Sequence, residues 1–220
     1  MNGVRVELTK IATHPGSLLA AGSGPLLAAV LIIVTRADDQ AAAVATPNPT
    51  VVHLCLAAAV ALGVTMAGQD HRGGQLGTTL LAVPNRARLV AARLAAWACC
   101  ATVAGVAMIG AAHVAAAHRP SRLADLAPVV LSIGVTMAAA ALTDATRSPL
   151  GAAAAVLSVV WIAPVAAAAS PDAARWLPAT AIEQLESGNW PDHPTAAALW
   201  LAAALLAGAL SLGVKDASGE

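Results

Sequence analysis

Long uncharged stretches alternate with short charged segments along the chain, and this pattern predicts a bundle of membrane-spanning helices. A helix needs about 20 apolar residues to cross the hydrocarbon core of a bilayer. Stretches of about that length without Asp, Glu, Lys or Arg occur at residues 18–35, 50–68, 94–117, 126–143, 149–169 and 195–214. We therefore expect an all-α, polytopic membrane protein in which residues 1–220 form one transmembrane domain with six spans.

The composition supports this expectation. Hydrophobic residues make up 58% of the chain and charged residues 11%, with a mean hydropathy of +0.73, whereas a soluble domain has about 25% charged residues. The formal net charge of +0 provides no basic surface for nucleic acid. The three cysteines lie inside apolar stretches without the spacing of a metal site, so we predict no bound metal.

The distribution of basic residues predicts the orientation, because Lys and Arg resist transfer across the membrane during insertion. One set of loops holds eight of them and the other set holds four: Arg5, Lys10, Arg72, Arg86, Arg88, Arg93, Arg147 and Lys215 against Arg36, Arg119, Arg122 and Arg175. Both termini are therefore expected in the cytoplasm. The Ala-rich composition without Phe or Tyr is typical of a GC-rich bacterial genome and favours the bacterial inner membrane.

Residues 1–17 are predicted to form a cytoplasmic interfacial helix. Val4, Leu8 and Ile11 fall on one helical face, while Glu7 and Lys10 lie elsewhere around the helix. The following Pro-Gly pair ends this helix and turns the chain into the bilayer. The helix either transmits force from a partner or anchors the chain at the membrane surface.

Residues 69–93 form the longest predicted cytoplasmic connection. Three polar residues and a Gly-Gly break precede a Leu-rich stretch with two threonines, and a proline and two arginines follow. This order predicts a short helix along the membrane face, where a soluble partner would push on it. The alternative is a solvated loop that only obeys the positive-inside rule.

This connection resembles that between the second and third spans of the type-2 ABC transporter permeases. The elements that carry the resemblance are Asp70, Arg72, Gly77-Thr78, Leu80-Leu81, Pro84, Arg86, Arg88 and Arg93. The segment Glu7-Leu8-Thr9-Lys10 is similar to that family's leading helix, and Leu177-Pro178-Ala179-Thr180-Ala181 is similar to the segment before its last span. Two departures are Asp70, where Glu is more usual, and the Gly73-Gly74 pair.

The resemblance implies the permease half of an ATP-driven exporter for a hydrophobic, peptide or drug-like substrate. A cytoplasmic ABC ATPase dimer would hold ATP and Mg, and a second copy or a paralogous permease would complete the path in the lipid bilayer. This chain would bind no cofactor. The implied ATPase-coupling interface consists of Glu7, Lys10, Asp70, His71, Arg72, Gly77, Thr78, Pro84, Arg86 and Arg88.

The external connection, residues 170–194, is predicted to contain a short interfacial helix, because Trp176, Ile182 and Leu185 recur at helical spacing and Trp favours the membrane interface. In the family such an element caps the external side of the path, so Trp176, Glu183 and Glu186 are candidates for an external gate. The alternative is an interfacial anchor whose two glutamates face water.

No motif of catalysis appears in the sequence. There is no G-x-x-x-x-G-K-S/T phosphate loop and no H-E-x-x-H, so we predict a transport subunit without an enzymatic site. His53 and His113 lie near the predicted external ends of their spans. Two other functions stay open: an ATP-independent secondary transporter or channel, against which the uncharged spans argue, and a noncatalytic membrane scaffold.

Overall fold

The computed structural model describes residues 3–37, 49–71, 85–116, 127–161, 198–199 and 201–206. Six helices account for nearly all of them: α1 Gly3–Thr13, α2 Pro15–Ala37, α3 Pro49–His71, α4 Arg86–Ala116, α5 Ala127–Thr146 and α6 Pro149–Trp161. Residues 198–199 and 201–206 are also helical. No strand occurs within these ranges, so the all-α prediction is confirmed.

Three helices are long and apolar enough to cross a membrane: Pro15–Val34, Ala87–Ala111 and Val129–Thr146. They coincide with the first, third and fourth of the predicted spans. Leu18, Leu19, Leu26 and Ile33 on α2 are exposed, as expected for side chains that face lipid. These features indicate a membrane protein.

The other predicted spans are described to different extents. The helix α3 encloses the predicted span 50–68 and α6 covers the first part of 149–169, while only residues 198–199 and 201–206 of the span 195–214 are described. The predicted coupling helix and the external connection 170–194 lie outside the described residues.

The connection between α3 and α4 is shorter than the predicted 69–93. The helix α3 continues through Gln69 and Asp70 to His71, and α4 begins at Arg86. Charged residues next to an apolar helix usually lie in water. Here Asp70 and Arg93 are instead paired inside the bundle. Their pairing lets both helices continue past the apolar stretches.

Short, capped turns join two pairs of neighbouring helices. His14 alone separates α1 from α2, and its Nδ1 accepts a hydrogen bond from the backbone N–H of Ser17 at 3.2 Å. Between α5 and α6, Arg147 has a φ of 54°, a left-handed conformation that ends a helix. The hydroxyl of Ser148 then accepts a hydrogen bond from the N–H of Gly151 at 3.1 Å and caps α6.

The core is built by close approach of α3 to α5. Gly63 faces the backbone of α5 so closely that a Cβ atom there would collide with the carbonyl oxygen of Thr136. The hydroxyl of Thr136 donates across the helix pair to the carbonyl of Ala59 at 3.2 Å. Small residues permit such close contacts. In lipid, this packing drives the association of helices, because the hydrophobic effect does not act between them there.

Candidate functional site: a buried charge cluster

A cluster of charged side chains lies where α3 and α5 end and α4 begins. Its centre is Arg93, which is 1% exposed. Its Nη2 lies 3.0 Å from Oδ2 of Asp70 on α3 and donates a hydrogen bond of 3.1 Å to Oδ1 of Asp144 on α5. Its Nη1 lies 3.0 Å from Oδ2 of Asp144. One guanidinium thus joins three helices, which is a use suited to the planar fork of arginine.

The helix α1 joins the cluster through Lys10. The Nζ of Lys10 donates to Oε1 of Glu7 at 3.0 Å and to Oδ1 of Asp70 at 3.3 Å. Glu7 is buried, while the side chain of Lys10 is 25% exposed. The two oxygens of Asp70 therefore hold Lys10 on one side and Arg93 on the other.

The remaining side of Asp144 faces His71, whose Nε2 lies 3.1 Å from its Oδ1. The guanidinium carbon of Arg93 also lies 5.0 Å from the centre of the Trp97 ring, within the range of a cation–π contact. We name Glu7, Lys10, Asp70, His71, Arg93 and Asp144 together the charge cluster.

Electrostatics explains why these groups occur together. A single ion buried in protein costs several kcal/mol of desolvation after relaxation, and only well-placed counterions offset this cost. Arg93 has one carboxylate on each side, and Asp70 has one cation on each side. Removal of Arg93 would leave the buried carboxylate of Asp144 without its guanidinium counterion.

The structure brings four of the predicted coupling residues together: Glu7, Lys10, Asp70 and His71. Glu7 and Asp70 are buried, and their carboxylates lie against Lys10 and Arg93. Arg88 is exposed on the first turn of α4, where its N–H is capped by the side-chain oxygen of Asn85 at 3.1 Å. Arg86 begins α4, and its side chain is outside the described part.

The other predicted site residues lie outside the described residues: Arg72, Gly77, Thr78 and Pro84 of the coupling segment, and Trp176, Glu183 and Glu186 of the external gate. His53 lies on α3 and His113 on α4. The structure therefore leaves the external gate as a prediction.

Sequence reasoning missed the central roles of Arg93 and Asp144. Arg93 falls in the predicted connection 69–93, and Asp144 directly follows the predicted span 126–143. Both belong to helices that are long and apolar enough to cross a membrane. One signal in the sequence points to both residues, because each charge directly adjoins a long apolar stretch. An ionisable residue inside a membrane span is by default a candidate for function.

The cluster has the composition of an ion-pair network. Among the described residues no group of three His, Cys, Asp or Glu side chains is placed to hold a metal ion, and Arg93 occupies the space between the two aspartates. The arrangement fixes the relative positions of four helices, α1, α3, α4 and α5.

Comparison of the chain with models of protein families, with curated proteins and with solved structures gave no match.

Proposed function

We propose that this chain is the membrane-spanning permease subunit of an ATP-driven exporter. In this proposal it spans the bacterial inner membrane six times with both termini in the cytoplasm. A separate ATPase dimer drives it, and a second permease chain completes the path for a hydrophobic, peptide or drug-like substrate. The observation that carries the proposal is that Asp70 and Arg93, which bracket the segment 72–84, are joined by an ion pair of 3.0 Å.

This ion pair holds together the two helices that flank the segment 72–84. A force applied to a loop moves the adjoining helices only if the loop ends are held, because otherwise the loop itself deforms. Asp70 and Arg93 hold the two ends together, and Asp144 extends the connection to α5. A push on this segment would therefore displace α3, α4 and α5 as a unit.

In this proposal the helix α1 is a second site where the ATPases act, and it is held to the cluster less tightly than α4. Lys10 is partly exposed, and it can keep its ion pair with Glu7, three residues earlier on the same helix, when α1 moves. Asp70 would then still be paired with Arg93. In the proposed mechanism α1 shifts against a permanent Asp70–Arg93–Asp144 connection when the ATPases close.

A secondary transporter is the second candidate, and one observation favours it. The predicted spans were uncharged, but Asp144 and Arg93 are buried in two of the candidate membrane-spanning helices. Buried ionisable groups in such helices occur in ion-coupled transporters. Against this candidate, both oxygens of Asp144 already face Arg93 or His71, so this carboxylate is not free to take up an ion.

Affinity purification of the tagged full-length protein from its native membrane in mild detergent tests the first candidate. We expect a P-loop ATPase to accompany the wild-type chain and to be depleted with Arg72→Glu or Arg88→Glu. Arg122→Glu is the matched control, because it introduces the same charge change in a loop predicted on the other side of the membrane. Purification without an ATPase, under conditions that preserve other membrane complexes, would contradict the proposal.

Transport assays in vesicles separate the two candidates. The exporter requires ATP, whereas a secondary transporter continues to work on an imposed ion gradient after ATP depletion. Uptake or efflux that persists without nucleotide and collapses with an ionophore would favour the second candidate.

A further inference from the structure

A small cavity lies between α2, α3, α4 and α5, with a volume of about 20 Å³. Its wall includes Ala21 and Pro25 of α2, Cys55 of α3, Met108 of α4, and Ser132 and Thr136 of α5. A site needs about 10–15 Å³ to hold one water molecule, together with at least two polar partners. The volume is therefore sufficient for one water and far too small for a transported molecule.

Pro25 leaves the carbonyl oxygen of Ala21, a residue of this wall, without its usual helical donor. It lies inside α2 and has no N–H, so it cannot donate to the carbonyl oxygen of Ala21 four residues earlier. A bilayer offers no solvent to that oxygen, and proline is tolerated in membrane helices where side chains or ordered waters satisfy the released group. Ala21 and Pro25 border the same cavity.

The two hydroxyls on the opposite wall can accept hydrogen bonds but not donate them to Ala21. The hydroxyl of Ser132 donates to the carbonyl of Val129 at 2.9 Å, and that of Thr136 donates to the carbonyl of Ala59 at 3.2 Å. Each oxygen retains lone pairs. The carbonyl of Ala21 on α2 and these two hydroxyls on α5 are therefore all acceptors, which a molecule with two donors would connect.

We propose that this cavity binds one water molecule, which donates one hydrogen to the carbonyl of Ala21 and the other to the hydroxyl oxygen of Thr136 or Ser132. The water replaces the N–H that Pro25 lacks and connects α2 to α5. It also makes α2 easier to bend at this point, because an exchangeable molecule substitutes for a fixed backbone hydrogen bond. This inference does not rest on the proposed transport function.

Hydroxyl-radical labelling by X-ray radiolysis of the full-length protein in detergent tests the proposal, since radicals formed from a bound water oxidise the side chains beside it. The chain supplies its own controls. Met108 borders the cavity, whereas Met66 and Met137 do not. Met108 is 6% exposed, Met66 1% and Met137 8%, so exposure alone predicts that Met137 is oxidised fastest.

We expect Met108 to be oxidised several-fold faster than Met137 and Met66, with ¹⁸O incorporated from labelled water after exchange into the site. Pro25→Ala restores the backbone donor at residue 25 and should reduce the Met108 rate toward that of Met137. Equal rates at Met108 and Met137 in the wild type would overturn the proposal. An unchanged Met108 rate in a folded Pro25→Ala variant would also overturn it, because the water would then not depend on the released carbonyl.

Discussion

The guanidinium of Arg93 lies 3.0 Å from the carboxylate of Asp70, so the last turn of α3 is joined to the second turn of α4 across the segment 72–84. The same guanidinium pairs with Asp144 on α5. Two helix ends and one helix start are therefore fixed by a single side chain. We therefore expect Arg93 to contribute more to the stability of the bundle than any other residue of the charge cluster.

Replacing Arg93 should destabilise the bundle far more than replacing Lys10. Arg93→Met leaves Asp70 and Asp144 buried without their central counterion, and breaking such a pair from one side costs about 3–5 kcal/mol. Lys10→Met removes a cation that is 25% exposed, and Asp70 keeps its ion pair with Arg93, so we expect a smaller loss. The free energy of unfolding, measured in mixed detergent micelles, compares the two variants directly.

Arg93→Lys is the informative control for this prediction. It keeps the positive charge but not the fork that reaches Asp70 and both oxygens of Asp144. We expect an intermediate loss of stability. Equal losses for Arg93→Met and Lys10→Met would contradict the central position of Arg93.

Gly63→Ala should weaken the contact between α3 and α5. The added Cβ atom would collide with the carbonyl oxygen of Thr136 and would lie 2.8 Å from Cβ of Ala139. Backbone atoms cannot move aside as a flexible side chain can, so we expect a destabilisation of about 1–3 kcal/mol, as for other overpacked cores. Thermal unfolding in detergent measures the effect.

Gly134→Ala serves as the matched control, because no described atom lies within 4 Å of a Cβ placed at residue 134. Alanine also has a higher helix propensity than glycine. This variant should be neutral or slightly stabilising. If both glycine variants lost the same stability, the close approach at Gly63 would not be the cause.

The helices α1, α2, α4 and α5 could be predicted from the sequence because their signals are local. An uncharged run of sufficient length predicts a membrane helix wherever it occurs, and the repeat of Val4, Leu8 and Ile11 predicts a short helix with one apolar face. These signals do not depend on what the helix later contacts, and helices occur at these positions. The buried face of α1, however, includes Glu7 beside Ile11.

The charge cluster could not be predicted in the same way. A span defined by the absence of charge must end beside the nearest charged residue, so Arg93 and Asp144 fall in the predicted loops. Their burial depends on the counterions that face them, and those come from other helices. The sequence places Asp70 in the predicted coupling interface, but it does not reveal that Arg93 lies against it.

Thr136→Val tests the hydrogen bond between α5 and α3. The variant keeps the shape of the side chain and removes the donor to the carbonyl of Ala59. Hydrogen bonds between membrane helices average about 0.6 kcal/mol, with a maximum of about 1.7 kcal/mol, and we expect a loss within that range. Thr102→Val is the control, since Thr102 is exposed and its hydroxyl donates to the carbonyl of Ala98 on its own helix. Loss of stability with Thr102→Val alone would contradict the assignment.

Ser148→Ala should loosen the turn between α5 and α6. The serine hydroxyl accepts the N–H of Gly151 at 3.1 Å, and Pro149 occupies the first position of α6, where its missing N–H has no cost. Loss of an N-terminal cap costs about 1 kcal/mol, so we expect a modest destabilisation and faster amide exchange at Gly151. Ser23→Ala is the control, because the Ser23 hydroxyl donates to the carbonyl of Ala20 inside α2 and caps no helix. Unchanged exchange at Gly151 would show that Pro149 and the packing of α6 hold the turn without the cap.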